Sequence, residues 1–553
     1  MGHLYLTGFM ACGKSTVGRM VAARLGLPFV DLDELAERRT GRSVPSIFAE
    51  GGEAAFRALE RELLEEVAGW PDHVVATGGG IVEDPRNRAR MAATGHAAWL
   101  YCDVARAVER ALSDGRARPL LGSGPQAQAH ARALWARRRW WYAGAPIWVD
   151  GRQQGAEQVA TRLVEALAWL RVGPPAAWVL GPQGGYPVLV RRGLVRELPA
   201  VLEILASRME LGGGLLVVAD AAVEALARQV AVDLERSGWH ATVAAVGPGE
   251  EAKQLEVVER LCEVAAGAGV DRGGLVVAVG GGAALDAAGF AAATYMRGIP
   301  WVAVPTTLLA QTDASIGGKT AVNTARVKNL MGSFHHPLAV VADPATLATL
   351  PVRQWRSGLA EVIKHGLVGD PSLLGEMDGP WAPSRADGEG FEELLRRSVA
   401  VKALVVTEDP AETGERAILN FGHTVGHALE SASNFERFLH GEAVAIGMVT
   451  ALLLSEELGV LQEPGLTGQV EAMLQAVGLP TTAAPDPPPA ETLWAWMGKD
   501  KKRRAGHQRW VLLQRSGAPL VVSDRVGFDA FARIWSRQHG RAASGAAGGA
   551  GRE

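Results

Sequence analysis

The sequence predicts an α/β chain in two parts: a parallel-sheet unit over residues 1–170, then a second α/β half that gives way to a mainly helical region. Three observations carry this. Short β-branched and apolar runs alternate with amphipathic stretches up to about residue 170 and again from about 178 to 330, the pattern of parallel strands covered by helices. Two glycine-rich turns, at residues 8–13 and 280–282, each stand between a strand and a helix. Beyond about 350 helical periodicity takes over. A length of 553 residues exceeds one ordinary domain. The expected divisions are 1–170, a linker at 171–178 around "RVGPPAAW", 179–350, 351–540, and a small, polar, disordered tail at 541–553.

Composition narrows the function classes. Hydrophobic residues make up 48% and charged residues 21%, as in a core-forming globular protein. The net charge of −4 gives no reason to expect a nucleic-acid or membrane partner. The basic clusters Arg137–Arg139 and Lys499–Arg504 are too short to be tails. Three distant cysteines, Cys12, Cys102 and Cys262, form no CxxC, so a reducing cytoplasm is the expected compartment. No apolar run reaches the length of a membrane span, and the first residues lack a signal peptide's basic region.

"HLYLTGF" reads as the first strand and "KSTVGRMVAARLG" as a helix closed by glycine. Between them lies "GFMACGKS", a GxxxxGK[ST] match. Backbone N–H groups of such a loop surround phosphates, and the helix dipole favours their charge. Gly8, Gly13, Lys14, Ser15 and Thr16 are therefore the candidate nucleotide contacts, with Ser15 also placed to ligate Mg²⁺. The acceptor signals lie further on: Asp31 and Asp33 at a strand end, Arg57 and Glu60 in "GEAAFRALE", Gly78–Gly80 after "HVVAT", Arg118 in "RARPLL", and Arg138 four before Tyr142.

This set resembles shikimate kinase over roughly residues 1–170. The resemblance implies ATP and Mg²⁺ as partners of the loop. It assigns Arg57 and Arg138 to the substrate carboxylate, which suits bidentate arginine. It makes Asp33 the acceptor or orienter of the attacking hydroxyl's proton. Gly78, Gly79 and Gly80 would allow close backbone approach to the ring, Asp31 would help hold Mg²⁺ through water, and Arg118, in a lid at about 113–125, would neutralise the transferring phosphoryl group. One departure stands out: Ala11 occupies a position where the family loop has glycine. Alanine fits there if its φ is negative; if not, nucleotide affinity drops.

From residue 271 the sequence reads "DRGGLVVAVGGGAALDAAGFAAATYMRGIPWVAVPTTLLAQTDASIGGKTAVN". The triple glycine is a dinucleotide-type turn but not GxGxxG, and alone it is weak. Further on stand "KN" (Lys328, Asn329), "GLAEVIKHG", "NFGHTVGHALE" and "FLHGE". Glu361, His423 and His440 supply one carboxylate and two imidazoles, a catalytic zinc set with an open position, although their long spacing alone does not establish a site.

These motifs resemble 3-dehydroquinate synthase over roughly residues 178–535. The resemblance implies an NAD-binding α/β half and a helical half, with Zn²⁺ or Co²⁺ on Glu361, His423 and His440. It assigns "PGEEAK" with Glu250 and Lys253, Gly281, Gly282, Asp286, Thr306, Thr307, Lys319, Lys328, Thr346 and Thr349 to NAD. The substrate it implies, 3-deoxy-D-arabino-heptulosonate 7-phosphate, carries a carboxylate, hydroxyls and a phosphate. Lys319, Lys364, Lys402, Arg416, Lys501 and Lys502 match positions that meet its charges, and Asp313, Asn329, Asn420 and His427 match its binding set. Arg297 matches an arginine that reaches a neighbouring subunit's phosphate, which implies a homodimer. NAD would be recycled, so the net reaction is redox-neutral. Ala314 and "GGGAALD" are small departures from the family pattern.

Other readings stay open at this point. The second part would also suit another sugar-phosphate cyclase or a metal-dependent polyol dehydrogenase, and one part would also suit an inactive scaffold. In "NFGHTVGHALE" the spacing of His423 and His427 suggests two ligands on one metal. With Glu361 and His440 supplying the other ligands, His427 is instead expected to hydrogen-bond the substrate or relay its proton.

Overall fold

The structure is a computed structural model that describes residues 2–114, 118–122, 126–181, 184–212, 214–324, 327–377, 388–498 and 508–546. These fall into two compact units, Met1–Leu189 and Val190–Glu553.

In the first unit five parallel strands run in the order β2-β3-β1-β4-β5. They are β1 (His3–Thr7), β2 (Phe29–Asp31), β3 (Val74–Ala76), β4 (Gly95–Tyr101) and β5 (Ile147–Asp150). Helices α1 (Lys14–Leu25), α2 (Leu32–Thr40), α3 (Val44–Val67), α4 (Pro85–Thr94), α5 (Val104–Ser113), α6 (Gln126–Ala143) and α7 (Ala156–Ala166) make the crossovers. Every residue of β1 and β3 is buried, as a parallel sheet with both faces covered requires. The carboxyl ends of β1, β2 and β3 lead directly into the glycine loop, Asp31 and Gly78–Gly80. Ligands of open α/β sheets bind outside such strand ends. An antiparallel hairpin, β6 (Ala177–Gly181) and β7 (Gly184–Val190), follows α7 in the chain.

The second unit opens on parallel strands in the order β14-β11-β10-β8-β9: β8 (Leu215–Asp220), β9 (Ala241–Val246), β10 (Leu275–Gly280), β11 (Trp301–Pro305) and β14 (Val340–Ala342). Helices α8 (Leu198–Ala206), α9 (Glu224–Arg236), α10 (Leu255–Gly267) and α11 (Gly282–Thr294) alternate with them, and a small hairpin, β12 (Lys319–Val322) with β13 (Met331–Phe334), is inserted before β14.

The rest is helical: α12 (Val352–Val368), α13 (Glu389–Glu408), α14 (His423–Ala432), α15 (His440–Glu457), α16 (Leu466–Ala476), α17 (Ala490–Gly498) and α18 (Phe528–Ala546). Helix α15 is buried almost all round from Gly441 to Ser455, the signature of a central core helix. Two glycines let its neighbours approach. A Cβ on Gly441 would stand 1.9 Å from the Ser357 carbonyl oxygen on α12, and one on Gly447 would stand 2.0 Å from that of Gly422, the cap of α14. These approaches gather α12, α14 and α15 at one point.

Two details differ from expectation. A strand pair, β15 (Arg509–Arg515) with β16 (Ala518–Ser523), stands within the helical region, because Trp510, Val511, Leu512 and Leu513 are buried and favour a pleated surface. The expected tail at 541–553 is helical as far as Ala546; the remainder lies outside the described residues.

Candidate active sites

In the first unit the glycine loop turns through positive φ at Gly8 (140°) and Gly13 (98°). Ala11 has φ 55°, so the condition under which alanine would sit without strain is not met; a left-handed L-residue costs roughly 1–2 kcal/mol. Lys14 Nζ folds over the loop and donates to the carbonyls of Gly8 at 3.0 Å and Phe9 at 2.9 Å. Ser15 Oγ donates to Asp31 Oδ2 at 2.6 Å, while Thr16 is exposed on the first turn of α1. Asp31 also caps α2, its Oδ1 accepting the backbone N–H of Asp33 at 3.0 Å and Glu34 at 3.4 Å.

Asp33, Arg57, Glu60, Gly78–Gly80 and Arg138 converge. Asp33 keeps access to solvent, yet the surrounding protein, with Asp31 close by, pushes its carboxyl up to about 6. Arg57 Nη1 donates to Glu60 Oε2 at 2.7 Å. Glu60 is 2% exposed, its Oε1 accepts no hydrogen bond, and burial raises its carboxyl to about 7 against the pull of Arg57. A Cβ on Gly78 would lie 2.2 Å from Glu60 Oε1, and one on Gly80 would lie 2.1 Å from Arg57 Nη2, so these glycines are needed for the approach itself. Arg138 is 1% exposed; its Nε donates to Glu83 Oε1 at 2.6 Å, and its Nη2 has no hydrogen-bond partner. Tyr142 donates to the Gly79 carbonyl. Arg118 is held at the end of α5, donating to Asp114 Oδ1 at 2.9 Å and to the Ala111 carbonyl at 2.5 Å. Residues 115–117 and 123–125 of the expected lid lie outside the described residues.

In the second unit Glu361 on α12 is fully buried, and its Oε1 accepts no hydrogen bond. That oxygen lies 3.6 Å from His423 Nε2 and 3.6 Å from His440 Nε2. The two imidazoles are turned the same way. His423 Nδ1 meets the Phe421 carbonyl at 3.1 Å, and His440 Nδ1 meets Glu430 Oε2 at 3.4 Å. A buried, unsatisfied carboxylate oxygen facing two Nε2 atoms suits a divalent cation with an N₂O donor set. Burial works against the Glu361 carboxylate, but Lys364, paired with it, holds its pKa below the usual range.

His427 stands apart from that trio. Its ring centroid is 5.3 Å from that of His423, with the planes at 89°, and 6.0 Å from that of His440. It groups instead with Glu430 and His440.

Beside the trio Lys402 Nζ donates to Asp313 Oδ1 at 2.5 Å. Burial pulls the Lys402 ammonium down to about 8 against Asp313. His365, one turn beyond Glu361, is fully buried with Nδ1 2.8 Å from Ser398 Oγ and Nε2 without a partner; burial and Lys364 push it down to about 3. Arg416 is 2% exposed and donates to the Pro410 carbonyl at 2.9 Å. Glu412 joins two expected ligands of the substrate, pairing with Lys319 and accepting from Asn420 Nδ2 at 3.3 Å. Lys501 and Lys502 lie outside the described residues.

The residues expected at the dinucleotide also gather. Lys253 pairs with Asp286 and donates to Asn329 Oδ1, and Glu250 accepts from Asn323 Nδ2 at 2.6 Å and pairs with Lys328 at 3.1 Å. Gly281 caps α11, which begins at Gly282, and a Cβ on Gly281 would stand 3.2 Å from Thr307. Thr306 N–H donates to the Gly280 carbonyl at 2.9 Å. Thr346 donates to the Asp343 carbonyl at 2.8 Å, and Thr349 closes the same short turn, Pro344–Thr349. Arg297 is exposed in a left-handed turn, φ 68°, directly after Met296 at 49°.

Sequence reasoning missed Glu83, His365, Glu412 and Glu430. Only Glu430 left a signal, standing three residues past His427 and seven past His423 on one helical face.

Comparison with known proteins adds three family matches: shikimate kinase over residues 10–168, the N-terminal domain of 3-dehydroquinate synthase over 243–357, and its C-terminal domain over 358–503. A 3-dehydroquinate synthase of Halorhodospira halophila is 41% identical over 348 residues, 63% of this chain and 95% of that protein. One from Symbiobacterium thermophilum is 43% identical over 341 residues, 61% of this chain and 94% of that protein. Among solved structures, 2-epi-5-epi-valiolone synthase from Streptomyces hygroscopicus subsp. jinggangensis, with NAD⁺ and Zn²⁺ bound, has a TM-score of 0.57 at 30% identity, over 64% of this chain and 97% of its own. A 2-deoxy-scyllo-inosose synthase with carbaglucose-6-phosphate, NAD⁺ and Co²⁺ has a TM-score of 0.57 at 25% identity, over 65% of this chain and 99% of its own.

Proposed function

The chain belongs to the 3-dehydroquinate synthase family and carries a shikimate kinase ahead of it, and from this premise we propose how its residues divide the work. It is a bifunctional enzyme. It phosphorylates shikimate with ATP and Mg²⁺, and it converts 3-deoxy-D-arabino-heptulosonate 7-phosphate to 3-dehydroquinate and phosphate with NAD and Zn²⁺ or Co²⁺. The two steps are not consecutive, so co-production rather than channelling is the rationale for joining them.

In the kinase, Arg57 and Arg138 hold the shikimate carboxylate. The unpartnered Nη2 of Arg138 supports this, since a bidentate acceptor would satisfy it. Asp33, poised near 6, accepts the hydroxyl proton as the phosphoryl group transfers. Lys14, now on its loop carbonyls, would turn to the nucleotide phosphates, Ser15 would hold Mg²⁺ with Asp31 helping through water, and Arg118, now on Asp114, would neutralise the transferring group.

In the synthase, Glu361, His423 and His440 hold the metal; when bound, the metal supplies a Lewis acid at the substrate hydroxyls and NAD a hydride acceptor that returns what it takes. His427 hydrogen-bonds the substrate or carries its proton. Lys319, Lys364, Lys402 and Arg416 neutralise the carboxylate and the leaving phosphate, while Asp313, Asn329 and Asn420 orient the hydroxyls. Glu250, Lys253, Asp286, Thr306, Thr307, Lys328, Thr346 and Thr349 line the dinucleotide. Two copies of the chain share sites through Arg297, a reading supported by its exposed, left-handed turn. A cytoplasmic location is supported by three free cysteines; no helix among the described residues is long and apolar enough to cross a membrane.

The observation that carries the synthase reading is the unsatisfied Glu361 oxygen facing both Nε2 atoms. The test is phosphate release from the heptulosonate phosphate with NAD⁺ and Zn²⁺. Release without net NADH supports it; NADH accumulation without phosphate would mean a polyol dehydrogenase. Shikimate-dependent ADP formation tests the kinase.

A further inference from the structure

Helix α14 places Glu430 on the face that carries His423 and His427, and the start of α15 brings His440 against it. Glu430 Oε2 lies 3.4 Å from His440 Nδ1, its side chain only 14% exposed. His440 Nε2 is thereby turned toward Glu361 Oε1 at 3.6 Å, as is His423 Nε2. The two imidazoles are thus anchored at Nδ1 by unlike acceptors, a neutral carbonyl for His423 and a full carboxylate for His440.

We propose that Glu430 is a positioning residue of the metal centre, holding His440 as the Nδ1–H tautomer with Nε2 presented to a divalent cation. An imidazole that donates to a carboxylate is a stronger ligand than one that donates to a carbonyl, and its ring cannot flip without breaking the bond. Glu430 also brings a second nearby carboxylate charge to a site whose other anion, Glu361, is already paired with Lys364. Glu430 is not itself the ligand. For that, the ion would sit on His440 Nδ1, away from the fully buried Glu361 carboxylate and from His423 Nε2, which face each other at 3.6 Å. The proposal rests on the reading of Glu361, His423 and His440 as the ligand set.

The test uses the full-length chain, stripped of metal and titrated with Zn²⁺ against a chromophoric chelator, with NAD binding as the check that the second unit is folded. E430Q should weaken Zn²⁺ affinity roughly 10- to 100-fold, yet still take one ion per chain at saturation. Its Co²⁺-loaded form should keep the visible absorption intensity of the parent. E436Q, an exposed change in the loop after α14, should bind Zn²⁺ as the parent does. Should E430Q fail to bind NAD, E430D carries the same comparison, since its shorter carboxylate should give an intermediate affinity. Zn²⁺ affinity of E430Q within twofold of the parent overturns the proposal. So does loss of stoichiometric Zn²⁺ with a changed Co²⁺ spectrum, which would make Glu430 a ligand. A parent chain that takes up no stoichiometric Zn²⁺ overturns the ligand-set reading, and this proposal with it.

Discussion

The Lys402 ammonium, 7% exposed, donates to the Asp313 carboxylate at 2.5 Å, so that each supplies the other's counter-charge beside the trio of Glu361, His423 and His440. Removing one partner strands the other. Lys402→Met should destabilise the synthase unit by about 2–3 kcal/mol, less than the roughly 3–5 typical of fully buried pairs, because Asp313 keeps some contact with water. Calorimetry checks this: the synthase transition should fall in temperature, and adding Asp313→Asn should recover most of the loss.

His427→Ala should lower synthase turnover by about 100-fold, the scale of a lost proton-transfer or orienting group, while Zn²⁺ stays at one per chain. His440→Ala should lose Zn²⁺. Metal analysis beside phosphate release separates the two; loss of Zn²⁺ from His427→Ala would put that imidazole in the ligand set.

Kinase activity should follow the Asp33 carboxyl. With its pKa raised to about 6, kcat/KM for shikimate should fall about tenfold per pH unit below that value. The sign for stability is the opposite of a salt-bridged carboxylate. A folded pKa above the ordinary 3.8 means that the charged form strains the fold, so the penalty is full above about pH 6 and fades as pH falls toward 4. Asp33 is solvent-exposed in the open site, so water screens most of that penalty: Asp33→Asn should abolish phosphorylation and raise the melting temperature of the kinase unit only slightly at pH 7.5. That gain should vanish near pH 4.

Ala11 holds φ 55° in the phosphate loop. Ala11→Gly should relieve about 1 kcal/mol of strain against roughly 0.5 kcal/mol lost to the freer unfolded chain. The expected result is a small rise in melting temperature and a lower KM for ATP, both readable in steady-state and thermal assays. A clear loss of stability in this variant would contradict the left-handed assignment.

The parts of both sites that were legible in the sequence are those whose meaning is local. The Gly8–Ser15 loop, the glycines at 78–80 and the histidines of "NFGHTVGHALE" announce themselves by spacing. Ala11 was legible as an oddity but not as a left-handed residue, since φ follows from the loop around it. Glu412 was illegible because its partner Lys319 lies 93 residues away and only folding joins them. Glu83 and His365 have no spacing signal of their own, and only folding sets them beside Arg138 and Ser398. The β15–β16 hairpin was masked by the helices on either side, which set the dominant period.

His440 is the first residue of α15, and the residues that follow it form the buried centre of the synthase unit. An ion held by that imidazole would therefore also grip the middle of the fold. On the proposed ligand set, a chelator should act on this chain as a denaturant as well as an inhibitor. Under zinc starvation, the lifetime of the chain against proteases would then be a quantity that metal supply sets, alongside its rate of turnover.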